Sequence, residues 1–222
     1  MPGRAKPGTI SVSLETSAKK VFASAIEWPG WSRSGKTEEL AVTALESYAP
    51  RYATVASAAG ERFSPDDYDI VERVSGGSGT DFGVPSSVTD LDRRPVAAAE
   101  AERLAHLVEA AWDTFAAVAA GAPAELRKGP RGGGRDRDKM IGHVAESDAY
   151  YAHEIGITGK RPDPTDDAAI ATMRAQMLEI LRAPSDGSAL AGRTWTPRYA
   201  ARRIAWHALD HAWEMEDRSD PD

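Results

Sequence analysis

From Pro95 onward, apolar residues recur at helical spacing, which leaves few folds open to this part of the chain. In residues 95–120 they fall three or four positions apart, at Leu104, Val108, Ala111, Trp112, Phe115 and Val118. Such spacing lines one face of an α-helix. A second segment of this kind covers residues 136–157, and a third begins at 163–167. A fourth runs from Pro197 to about 217. Four helices joined by short or medium connections predict an antiparallel four-helix bundle.

The first 94 residues show short strands and turns instead. Residues 20–28 are largely apolar and stop at Pro29-Gly30, as a strand does before a turn. Thr37 with the two glutamates after it is a helix start, and Pro50 is expected to kink or restart that helix. Residues 68–71 predict a further strand, and the Gly/Ser-rich residues 75–79 predict a turn. We therefore expect an α+β chain with a β-β-α module at 1–62, a strand and linker at 63–94, and the bundle at 95–222.

Composition narrows the kinds of partner. The chain has 222 residues, no cysteine and a formal charge of −7. Without cysteine, a metal site must use imidazole and carboxylate ligands, and a net acidic chain does not favour nucleic acid. No apolar run reaches the roughly 20 residues that a membrane helix needs, and no signal peptide is recognised, so we expect a cytoplasmic protein. The basic, glycine-rich residues 127–135 are expected to form a solvated loop.

Three of the five histidines are placed to face the interior of the bundle. His207 and His211 are four residues apart and share the apolar face of the last helix, where two imidazoles can bind one cation. His143 lies at the edge of the apolar stripe of the second helix. His106 is expected in solvent, and His153 lies about 15 Å along the axis from His143, where it could line the mouth of a pocket. The spacing alone leaves two readings open, a metal site and ordinary core histidines.

Other side chains have candidate roles near these histidines. Glu154 and Tyr150 share the face of His143 and are our candidates for the base that hydrolysis requires, although Glu154 could simply pair with an arginine or lysine. Arg203 could bind an anionic substrate group or form an ion pair with a neighbouring helix. Trp206 and Trp213 lie on the opposite side of the last helix, together with Leu209, and we expect either the N-terminal module or a second subunit of a homodimer to cover them.

These histidine motifs resemble those of the DinB-like superfamily. The matching pieces are His143-Val-Ala-Glu on the second helix and His207-Ala-Leu-Asp-His211 on the last, within residues 91–222. The superfamily also includes YfiT-like predicted hydrolases and thiol-dependent transferases and isomerases. The resemblance implies a four-helix bundle with His143, His207 and His211 as ligands of one zinc, nickel, manganese or iron ion. Such an ion could activate water for hydrolysis or bind a substrate thiolate.

A second resemblance covers residues 9–60. The string VFASAIEWPGWSRSGKTEELAVTAL resembles the strand, Pro-Gly, strand and helix of HicB-like antitoxin domains, with Trp31 in place of the usual small residue or cysteine. No ribbon-helix-helix segment follows it.

The DinB-like resemblance implies, as the first reading, a divalent-metal-dependent hydrolase or thiol-dependent transferase that acts on a small molecule. A non-catalytic metal- or ligand-binding stress protein comes second, and a toxin–antitoxin regulator third.

Overall fold

A computed structural model describes residues 8–129 and 133–219, and it contains one mixed sheet in the N-terminal half. The strands are β1 (Thr9–Thr16), β2 (Val21–Ala25), β3 (Ser32–Gly35) and β4 (Asp67–Ser75), in the order β3-β2-β1-β4. β1 pairs antiparallel with β2, and β2 antiparallel with β3. β4 pairs parallel with β1, so the strand predicted at residues 68–71 is an edge strand of the same sheet.

Two helices follow β3. α1 (Glu38–Ser47) begins after Thr37, whose hydroxyl accepts a hydrogen bond from the Leu40 amide at 3.2 Å. α2 (Ala49–Ala58) restarts the helix with Pro50 in its first turn, where proline is tolerated. The described part of the module expected at residues 1–62 thus contains three strands and two helices, and β4 lies in the strand and linker region expected at 63–94.

The expected turn at residues 75–79 is wrong in part, because α3 (Ser78–Phe82) begins inside it. The Thr80 hydroxyl donates a hydrogen bond to the buried carboxylate of Glu15 at the end of β1. The amides of Ser86 and Ser87 donate to the same carboxylate at 3.1 and 3.0 Å. This tertiary contact, rather than local sequence preference, fixes the segment against the sheet.

The C-terminal half contains four long helices close to the predicted positions. They are α4 (Ala98–Gly121), α5 (Arg137–Glu154), α6 (Asp167–Leu181) and α7 (Pro197–Ser219). α4 and α5 each pack against both α6 and α7. The central part of the expected solvated loop, residues 130–132, lies outside the described residues. None of the helices in the described ranges combines the length and the apolar character needed to cross a membrane.

α7 is buried on two sides because it packs against both halves of the chain. Its indoles contact the N-terminal half: Trp206 packs edge-on against Phe22 of β2, and Trp213 packs against Tyr48 between α1 and α2. Both indoles are less than 5% exposed. Of the two covers expected for this face, the N-terminal half is therefore the one found. The opposite side of α7 faces α5 and carries the histidines.

Candidate metal centre

The histidine cluster starts from two neighbouring turns of α7. His207 and His211 are 6% and 9% exposed, and their ring centroids lie 4.6 Å apart. The buried Ile204, Ala208 and Met215 continue the same side of the helix, so the apolar packing of α7 also carries both imidazoles inward.

α5 supplies the third histidine. The His143 ring centroid lies 5.0 Å from each of the other two, and its Nε2 lies 3.3 Å from Nε2 of His207. One ligand atom from each histidine falls within 4.8 Å of the others. The buried Met140 and Val144 beside His143 anchor this part of α5 in the core. The structure thus brings together the three histidines that the sequence selected, and they could hold a metal ion.

Electrostatics favour the neutral form of two of these imidazoles. Burial, reinforced by the charge of Arg135, lowers the pKa of His143 to about 4. Burial also holds the pKa of His207 well below its ordinary value, with His211 and Arg203 adding to the effect. A neutral imidazole keeps a free lone pair, which a metal ligand requires.

A carboxylate that sequence reasoning missed fixes the orientation of His211. Nδ1 of His211 lies 2.9 Å from Oε2 of Glu214, and since a carboxylate can only accept, Nδ1 carries the proton. Nε2 is then the nitrogen left for a ligand role. The hydrogen bond from His211 lowers the pKa of Glu214. Its position three residues after His211 was a readable signal, because residues i and i+3 are neighbours on a helix.

Arg218 holds Glu214 in turn. Its guanidinium donates to Oε1 of Glu214 at 2.8 Å and to the carbonyl of Arg127 at 2.7 Å. The amide of Arg127 donates back to the carbonyl of Arg218 at 3.0 Å. The start of the basic loop is therefore tied to the carboxylate that orients His211, an arrangement typical of the outer shell of metal sites.

The walls around His207 are aromatic. The Tyr151 ring lies edge-on to His207 at 5.7 Å between centroids, and burial raises the pKa of Tyr151 to about 12. Within the described part of the chain, Nδ1 of His207 is buried without a hydrogen-bond partner. Tyr151, eight residues after His143, is the tyrosine of α5 that the structure places against the cluster.

Glu154 and Tyr150, the candidates for the hydrolytic base, contact residues other than the three histidines. Glu154 lies 3.9 Å from the guanidinium of Arg193 and 3.7 Å from Nδ1 of His153, and it is eleven residues, or about 16 Å, further along α5 than His143. This ion pairing is the alternative that the sequence left open for Glu154. Tyr150 is 48% exposed and packs on Tyr151.

Two remaining histidines lie where the sequence placed them. His106 has a side chain that is 50% exposed and 4.0 Å from Glu102. Nε2 of His153 accepts a hydrogen bond from Arg193 at 3.0 Å, and His153 lines a pocket of about 600 Å³ between α5 and α6. Asp210, which lies between His207 and His211 in the sequence, forms an ion pair with Arg33 of β3 at 2.8 Å.

The distance between His143 and His207 suits two ligands of a single metal ion. Bonds of about 2.0–2.1 Å from one metal place neighbouring nitrogens about 2.8–3.4 Å apart in octahedral or tetrahedral geometry. The 3.3 Å between His143 and His207 falls in that interval. Imidazole ligands without thiolate or a dense carboxylate set are suited to zinc, nickel or iron rather than calcium or magnesium. Comparisons with known proteins gave no match, whether to a family model, a curated protein or a solved structure.

Proposed function

We propose that His143, His207 and His211 bind one divalent zinc, nickel, manganese or iron ion, and that the chain is a metal-dependent enzyme acting on a small molecule. The observation that carries this proposal is the convergence of three imidazoles from two helices, with one ligand atom from each within 4.8 Å of the others. Three protein ligands leave coordination positions free, as catalytic sites do. The DinB-like architecture, an antiparallel four-helix bundle, is the finer fold that we propose for the C-terminal half.

The chemistry would be hydrolysis or thiol-dependent transfer. A divalent metal on three neutral imidazoles supplies Lewis acidity at neutral pH. The chain's own residues prepare the site: Glu214 accepts the Nδ1 proton of His211 and fixes its tautomer. Tyr151 covers one side of His207 and limits the access of water.

One observation supports a second candidate, a non-catalytic metal- or ligand-binding protein. His207 and His211 are 6% and 9% exposed, so much of the cluster is closed to solvent. Closed sites are typical of structural metals, whereas catalytic sites keep an accessible position. The access of a small ligand to the bound ion separates these two functions.

Cobalt(II) substitution followed by addition of a small thiol makes that test. The enzyme proposal predicts a sulfur-to-cobalt charge-transfer band that saturates with thiol, because a free position accepts the thiolate. His106→Ala is the matched control, since it removes an exposed imidazole outside the cluster. A cobalt spectrum that no thiol, azide or cyanide changes would favour the non-catalytic protein. A positive result would justify screens for hydrolase and thiol-transfer activity.

A further inference from the structure

Arg203 differs from the other arginines of α7, which form ion pairs. Within the described residues, no carboxylate lies within ion-pair distance of Arg203, so the ion pair that the sequence left open for it is not found. Each of three others on the same helix has an acidic partner: Arg198 with Glu100, Arg202 with Asp92, and Arg218 with Glu214. Among the described residues, those three guanidinium groups have a counter-charge and that of Arg203 has none.

Aromatic rings hold the Arg203 guanidinium in place. Its central carbon lies 4.8 Å from the centroid of the Trp206 ring and 5.1 Å from that of Tyr151. Such faces attract and orient a cation but offer no acceptor in the plane of its N–H groups. In keeping with this, Nη1 is buried without a hydrogen-bond partner among the described residues. The aromatic rings thus hold a guanidinium that has an unused buried donor, while the residue as a whole stays partly exposed.

Arg203 also lies beside the histidine cluster. It precedes His207 by four residues, so the two side chains leave the same face of α7 about 6 Å apart along the axis. The ring of Tyr151 contacts both Arg203 and His207. The cavity of about 10 Å³ that Arg203 lines on the sheet side has room for about one water, so a larger group would approach from the partly exposed side of the residue.

We propose that Arg203 binds an oxyanion of the substrate, a carboxylate or a phosphate group, while the reacting part of the same molecule lies at the histidine cluster. This inference rests on the proposed metal-dependent function. A guanidinium offers parallel N–H donors that match two oxygens of a carboxylate or phosphate. The substrate would therefore be a small anionic molecule whose charged group is about one helical turn from its reacting centre.

The test uses the metal-free protein and two simple probes, acetate and inorganic phosphate, each titrated against chloride at constant ionic strength. The Nε–Hε NMR signal of Arg203, assigned with Arg203→Met, should shift saturably with one or both oxyanions, and the stronger response identifies the preferred group. The indole N–H signal of Trp206, whose ring centroid lies 4.8 Å from the guanidinium carbon, reports binding in the variants that lack Arg203. Arg203→Lys, which keeps the charge but loses the fork, should bind at least about tenfold more weakly. Arg161→Met, which removes an exposed arginine, is the matched control and should bind like wild type.

An Arg203 signal that neither oxyanion moves overturns the inference, as does equal binding by Arg203→Met. The titration needs no metal, so its failure is separate from a failure of the histidines to bind one. Saturable binding at Arg203 in a protein that takes up no metal would overturn the proposed function and leave Arg203 as an oxyanion site. Metal binding with no response at Arg203 would leave the proposed function and remove its anionic substrate.

Discussion

Gly30→Ala should destabilise the protein through the contact between the β2–β3 turn and the histidine helix. Gly30 has φ of +93°, and a Cβ at this position would lie 2.6 Å from Cδ1 of Leu209 and 3.1 Å from the carbonyl carbon of Ala205. The Leu209 side chain is fully buried, and Ala205 presents backbone, so neither can move aside freely. Any side chain at residue 30 therefore pushes the turn away from α7.

Two costs add at this position. A left-handed backbone costs a non-glycine residue about 1–2 kcal/mol, and overpacking a close contact costs about 1–3 kcal/mol more. Gly30→Ala should thus lower the free energy of unfolding by about 2–5 kcal/mol. Gly60 is the matched control, since its φ of +74° imposes the first cost while no atom lies within 4 Å of its added Cβ.

Urea unfolding of the metal-free variants, followed by circular dichroism, measures both losses without a contribution from bound ligand. Gly30→Ala should lose about 1–3 kcal/mol more than Gly60→Ala, the overpacking cost alone. Equal losses in the two variants would refute the close approach of the turn to α7, and with it the packing that places the sheet behind the histidines.

Three further predictions concern the site and its support. Glu214→Ala should weaken zinc binding by about 10–100-fold and Glu214→Gln by less, because the amide oxygen still accepts from His211; a competition titration with a chromophoric chelator that gives equal affinities would contradict this. The metal-free protein should lose stability as the pH falls from 6.5 toward 4, because the unfolded chain protonates His143 at its ordinary pKa of 6.5 while the folded chain holds that pKa at about 4. Urea unfolding across this range should show a smaller loss in His143→Gln, and an unchanged slope would count against the low pKa. Asp92→Asn should cost about 3–5 kcal/mol in the same assay, since it leaves the buried Arg202 without its counter-charge, and a loss below about 1 kcal/mol would show that the pair is not buried as described.

The parts of the fold that local patterns specify were predictable. Helical periodicity located four C-terminal helices, and Thr37 and Pro50 marked the start of α1 and the restart at α2. The histidines of the cluster were also readable, because helix geometry converts their positions into directions relative to the apolar face. The position of a residue along a helix determines whether its side chain points inward, and this was enough to select His143, His207 and His211.

Features that depend on contacts between distant segments were not predictable. The parallel pairing of β4 with β1 brings Asp67 beside Thr9, and no local pattern specifies that partnership. α3 forms in a Gly/Ser-rich stretch because its Thr80 bonds to Glu15 on β1. The ion pair of Asp210 with Arg33 joins α7 to β3, and no local pattern predicts it.

The most direct test of the metal centre is elemental analysis of protein purified without chelator or affinity tag, beside variants of the cluster. The proposal predicts close to one divalent metal ion per chain in wild type and in His106→Ala. It predicts that the ion is lost in His207→Ala and His211→Ala while circular dichroism shows the helices retained. Wild-type protein that stays metal-free after loading with zinc, nickel, manganese and iron in turn would contradict the proposal and leave the three histidines as residues of the core.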